Sequence, residues 1–159
     1  MVIGRRAVFV DVAVVVALLI AHFTFHRFFV RWAIAPNLLV GALLLASLHL
    51  RSGHAALLGF GLGILEAAMA LEGMGSISLV LTVVAYLAAR SRDLLFADAR
   101  YYTPIYLFVG TWVAELGLLL AMRAGADLVL TLVLIPVSAA GTALVCWAVE
   151  TAASVARRY

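Results

Sequence analysis

Three carboxylates stand where so apolar a polypeptide can least accommodate charge: Asp11, Glu66 and Glu115 each fall inside or beside a long run of hydrophobic residues. A charge at the centre of a bilayer costs about 2.5–3.5 kcal/mol on insertion scales, so such a group faces the interior of a helix bundle and is paired. For Glu115, the costliest of the three, the available chemistries are proton or cation binding, a buried hydrogen-bond hub, or a contact for an arginine on a partner helix. The sequence offers no clear intramembrane base for Glu66 or Glu115. A carboxyl in that position is held most cheaply as the neutral, hydrogen-bonded acid, or paired with a group from another chain. The expectation is that both serve structure and partner binding and move no solute.

The remaining reactive side chains are few. His22 and His26 are four residues apart and share a helix face, but a metal site would normally need a third ligand, and only Glu72 and Asp127 lie within plausible reach on that side. His49 and His54 flank Arg51 at a helix boundary, where polar aromatic rings are comfortable. The single cysteine, Cys146, has no partner for a disulfide, and it reads as a small buried or lipid-facing residue. No Ser/His/Asp or Cys/His arrangement, metal-ligand set or phosphate loop supports catalysis. The expectation is a protein with no enzymatic activity, no metal and no cofactor.

These residues are carried on six apolar blocks, 7–25, 33–50, 55–71, 74–89, 104–122 and 128–149. About 20 apolar residues cross the ~30 Å hydrocarbon core as a helix, and ~17 is the practical lower limit. With 67% hydrophobic and 12% charged residues, and a mean hydropathy of +1.18, the chain has too little polar surface to coat a water-soluble globule. A transmembrane barrel would instead show short alternating segments. The fold class predicted is an all-α integral membrane protein, with residues 1–159 forming one domain of six transmembrane helices. Arg5 and Arg6 ahead of the first block have the outline of a secretory signal, but the block is longer than a signal core and no small-residue cleavage site follows it. It is read as a retained helix.

Orientation comes from arginine, because the chain has no lysine. Arg5, Arg6, Arg51, Arg90, Arg92, Arg100, Arg157 and Arg158 lie on one side of the six-helix arrangement, and Arg27, Arg31 and Arg123 on the other. The positive-inside rule then places both termini in the cytoplasm of a bacterial inner membrane. The basic balance reflects topology, and no surface suited to nucleic acid is present. Phe28, Phe29 and Trp32 around Arg27 and Arg31 read as an interfacial anchor. The mixed charges between Arg90 and Thr103, around Leu94, Leu95 and Phe96, suggest a short amphipathic helix or a solvated loop.

Glycine and proline supply the packing signals. Gly59 and Gly63 share one face of the third block, where small residues let helix backbones approach closely in lipid. No strand precedes these glycines, so a nucleotide loop is excluded. Pro36 is expected in the first turn of the second helix. Pro136 interrupts the sixth and frees a carbonyl one turn earlier, with Thr131 and Ser138 near enough to help satisfy local polar groups. Pro104 starts the fifth.

The run Pro36-Asn37-Leu38, then a helix, a short basic turn and Gly59-Phe60-x-x-Gly63-x-x-Glu66, resembles the MreD family of rod-shape-determining membrane proteins. The short outer turn and Gly75 extend the likeness over about Trp32 to Arg90. The family commonly has Asp where this chain has Glu66. The later helices are similar only in character. The resemblance implies a non-catalytic scaffold of the cell-elongation machinery that binds MreC, a single-span protein, and acts with MreB, RodA and a class-B penicillin-binding protein in peptidoglycan synthesis. It also implies a fold similar to the substrate-binding subunits of energy-coupling-factor transporters. Pro36, Asn37, Gly59, Phe60, Gly63, Glu66 and Glu115 are the expected helix-packing or partner-binding residues. The rival reading is such a vitamin-transporter subunit itself. The short outer turns at Leu71 to Gly75 and Arg123 to Asp127 disfavour it, because they leave little chain to cap a ligand.

Overall fold

A computed structural model describes residues 2–29, 36–70, 74–95, 103–122 and 128–156, with side chains placed for 9–24, 36–69, 75–92, 103–121 and 132–155. Six helices account for nearly all of them: α1 (Val2–Phe29), α2 (Leu38–Ser47), α3 (Ser52–Ala70), α4 (Met74–Leu95), α5 (Thr103–Met122) and α6 (Leu128–Ala156). No strand occurs among the described residues. The windows Ser52–Met69, Thr103–Ala121 and Leu132–Val155, in α3, α5 and α6, are long and apolar enough to cross a membrane, and Phe9–Thr24 and Leu38–Ser47 are shorter apolar stretches. Large apolar side chains including Phe9, Ile20, Leu57, Leu79, Leu120 and Leu144 point outward. An apolar exterior on an apolar chain is the surface of a membrane protein.

The helix boundaries differ from the sequence expectation most at α2. It runs over only ten residues, Leu38–Ser47, against the 18 apolar positions of 33–50. Asn37 stops it at the front: its side-chain oxygen accepts from the Val40 N–H at 3.3 Å, and its carbonyl accepts from Gly41 at 3.1 Å. That is N-cap geometry, in which a side-chain oxygen takes over an N–H with no helical partner. Pro36 therefore lies one residue outside the cap, and the first helical turn begins at Leu38. A turn over 48–50 ends the helix. α4 differs in the other direction, continuing through Arg90, Arg92 and Asp93 to Leu95. The expected interfacial segment thus begins as the last turns of α4, and its remainder, 96–102, lies outside the described residues. The tracts 71–73 and 123–127, which hold Glu72, Arg123 and Asp127, lie outside them too, as do the side chains of Arg5, Arg6, Phe28, Phe29 and His26 and the residues Arg31, Trp32, Arg157 and Arg158.

All ten residues of α2 are buried. The other five helices surround it, with α3 packed most closely on α4 and α5 on α6, while α1 rests against α2 and α6. Close approach is achieved at glycines. A Cβ on Gly63 would collide with the backbone of Ser78, and one on Gly59 would lie 2.5 Å from the Leu81 carbonyl oxygen, so α3 and α4 meet nearly backbone to backbone. Gly41 meets Cys146 and Thr142 of α6 in the same way, and Gly110 receives the Leu44 side chain. Hydrocarbon tails are as apolar as leucine and give helices no hydrophobic reason to associate, so contact area of this kind and hydrogen bonds hold the bundle together.

Candidate functional site

The polar residues inside the bundle fall into three groups. The first joins α2, α5 and α6. The Asn37 N–H donates to Thr142 Oγ1 at 2.9 Å, the Thr142 hydroxyl donates to the Ser138 carbonyl at 3.0 Å, and the Ser138 hydroxyl donates to Glu115 Oε1 at 2.8 Å. Ser138 and Thr142 are four apart, one above the other on α6. Thr142 is fully buried, so its hydroxyl can use both its donor and an acceptor position only by bridging two helices. Ser138 thus serves Glu115, and the side chain of Thr131 lies outside the described residues. Thr111, one turn from Glu115 on α5, is fully buried with its hydroxyl unpaired among the described residues.

The second group ties α1 to α3. His22 Nε2 lies 3.3 Å from Glu66 Oε2, with the imidazole nearly enclosed and its ring edge-on to Phe23 at a centroid distance of 5.3 Å. This corrects the expectation that Glu66 lacks a base: the base is present, 44 residues away on another helix. The third group lies at the opposite end of α2. His49 Nε2 is 3.5 Å from Asp11 Oδ2, and His49 Nδ1 is 3.2 Å from the Leu45 carbonyl. Arg92 reaches from α4 to the carbonyls of Leu48 and Leu50. A cation at the last carbonyls of a helix complements both the unpaired oxygens and the negative end of the helix dipole.

Of the residues singled out from the sequence, Asn37 and Glu115 come together through Thr142 and Ser138, while Glu66 belongs to the separate pair with His22. Gly59 and Gly63 sit at the α3–α4 contact, and Phe60 points outward from α3. Cys146 is buried against α2 as a free thiol. His54 is exposed. Among the described residues no three His, Cys, Asp or Glu side chains converge as a metal site would require. Asp11 is paired as a carboxylate in that position is expected to be, but its partner His49 and the contributions of Thr142 and Arg92 are not legible in the sequence. A four-residue Ser–Thr spacing inside an apolar helix was the available signal for Thr142, and nothing local marked Arg92. Compared with known protein families, curated proteins and solved structures, the chain matches none.

Proposed function

We propose that this protein is a non-catalytic membrane scaffold of the MreD type, crossing a bacterial inner membrane six times with both termini in the cytoplasm. It binds MreC and helps organise MreB, RodA and a class-B penicillin-binding protein for peptidoglycan elongation and rod shape. One observation carries this reading: most of the residues that resemble the family are used to hold helices together. Asn37 caps α2 and docks on α6, Gly59 and Gly63 let α3 meet α4, and Glu66 joins α3 to α1. Such a framework presents an apolar outer surface to other membrane helices. The fold expected with this function is the six-helix arrangement of energy-coupling-factor substrate-binding subunits.

The test is copurification from membranes with a candidate MreC. Retention of MreC by the wild-type chain supports the scaffold. Purified protein in liposomes is expected to bind and take up no vitamin-like solute. Saturable binding of such a solute, abolished by Glu66→Gln or Glu115→Gln, would replace the scaffold with the transporter subunit.

A further inference from the structure

Of the carboxylates Asp11, Glu66 and Glu115, the first two have a base beside them, and Glu115 has none among the described residues. His49 stands by Asp11 and His22 by Glu66, whereas Glu115 is met by one neutral hydroxyl, that of Ser138, on one of its two oxygens. Glu115 is incompletely buried. Four residues from enclosed Thr111 and three from outward-facing Trp112, it stands on α5 at the margin where the α5–α6 seam meets the surroundings. Trp112 lies at the middle of the 20-residue α5, is 40% exposed, and has no hydrogen-bond acceptor among the described residues. Tryptophan in membrane proteins ordinarily places its N–H at the water boundary, and hydrocarbon offers it nothing at mid-span.

Gly141 presents an open face on α6. The Glu115–Ser138 bond sets the antiparallel register of α5 on α6 and brings Gly141 level with Trp112, since each lies three residues inward from its bonded neighbour. A Cβ placed on Gly141 would meet nothing within 4 Å, unlike one on Gly41, Gly59 or Gly63, whose faces are filled by other helices of this chain; the other open glycines, Gly53, Gly61 and Gly75, lie on α3 and α4, away from the Glu115–Ser138 bond. A small residue with an open face allows close approach of a further backbone.

We propose that the seam formed by Trp112, Glu115 and Gly141 receives one membrane-spanning helix of another protein, carrying a basic side chain at the depth of Glu115. The basic group gives the half-satisfied carboxyl its counter-charge, the indole N–H meets a polar atom of the same helix, and Gly141 sets the distance. Acyl chains supply neither donor nor acceptor. A second copy of this chain is poorly suited: among its described residues His22 and His49 are engaged with carboxylates, and Arg51, His54, Arg90 and Arg92 lie at or near helix ends. This assignment rests on the scaffold reading and locates the partner's contact within it.

The experiment places the full chain, donor-labelled, in nanodiscs and titrates it with an acceptor-labelled Leu/Ala transmembrane peptide carrying one arginine at mid-length. The same peptide with leucine at that position is the control. Energy transfer should show the arginine peptide binding about five- to thirty-fold more tightly, the span expected of one polar pair in a bilayer. Glu115→Leu should erase the preference. If Glu115→Leu fails to fold, Gly141→Leu fills the open face without altering the carboxyl and should weaken both peptides. Equal binding of the two peptides, or a dimer of the chain itself that Glu115→Leu dissolves, overturns the proposal. MreC copurification separates the two readings. Full retention of MreC by Glu115→Leu and Gly141→Leu removes the seam as the contact and leaves the scaffold. Loss of MreC from the wild-type chain alongside arginine-peptide selectivity keeps the seam and removes MreC as its occupant.

Discussion

Gly61 and Gly63 lie two residues apart on α3, yet an added methyl group should act on them in opposite directions. At Gly63 a Cβ would collide with the Cα of Ser78, and that atom is backbone and has no rotamer through which to yield. Relieving the collision requires α3 and α4 to separate by roughly 1 Å, and a gap of that size forfeits a quarter to a half of the dispersion attraction along the contact. Overpacking of this kind costs about 1–3 kcal/mol. Alanine's better helix propensity returns at most about 1 kcal/mol of that. At Gly61 nothing lies within 4 Å of the added carbon, so only the propensity gain remains. The difference between Gly63→Ala and Gly61→Ala should therefore be about 1–3 kcal/mol, measured by reversible unfolding in mixed micelles with increasing denaturing detergent. Gly63→Leu should abolish assembly or lower the yield sharply. Equal stability of the two alanine variants, or wild-type yield of Gly63→Leu, would show that this face of α3 is not pressed against α4.

Further outcomes follow from the same contacts. A periplasm-dependent reporter inserted within 71–75 should be active and one fused after Tyr159 silent; the reverse pattern removes the six-span orientation. His22→Leu and Glu66→Gln should each destabilise the bundle, and a double-mutant cycle should give a coupling of about 0.6–2 kcal/mol, the range for polar pairs in membranes; additive effects would mean that the 3.3 Å approach contributes nothing. Thr142→Val should cost about 1–3 kcal/mol by leaving the Asn37 N–H unpaired beside an apolar methyl. Thr142→Ser, which keeps the hydroxyl, should recover most of that, and equal loss in both would assign the effect to packing.

The number and order of the helices are legible in the sequence because continuous apolar runs broken by charge are a local property, readable without knowing what packs on what. The Gly59/Gly63 spacing is legible for the same reason. The pairing of polar groups is not. His22 and Glu66 are separated by 44 residues, and nothing in either helix indicates which other face it meets. The sequence therefore leaves Glu66 without a base although one is present. The true length of α2 is hidden by composition, since residues 33–50 are apolar throughout and only the Asn37 cap and the turn after Ser47 reveal that the helix ends early. In the sequence Asn37 stands out only as part of a family-like run, whereas its physical role needs the position of Val40 and of Thr142.

The shortness of α2 has a consequence for the protein's stability. On the proposed six-span reading, ten residues at 1.5 Å per residue give about 15 Å, half the hydrocarbon thickness, so at least one end of α2 falls short of the water boundary, where lipid cannot hydrogen-bond free backbone groups. Irregular backbone at such depth is tolerated only where protein covers it. Both ends are served from other helices: Thr142 of α6 takes the Asn37 N–H, and Arg92 of α4 meets the carbonyls of Leu48 and Leu50. Removing Arg92 strands those oxygens and also removes a cation from the negative end of the helix. Arg92→Leu should therefore cost about 1–3 kcal/mol, while Arg90→Leu, two residues earlier on the same helix but exposed, should change stability by less than about 0.5 kcal/mol. Arg92→Lys should fall between them, since both bonds come from one nitrogen, Nη1, and an ammonium keeps that charge and those donors on a shorter side chain. The measurement is the same detergent unfolding, read alongside hydrogen exchange at the amides of α2, which should lose protection in Arg92→Leu before those of α5. If Arg92→Leu and Arg90→Leu prove equivalent, α2 ends in water and not within the span, and the second crossing must be redrawn.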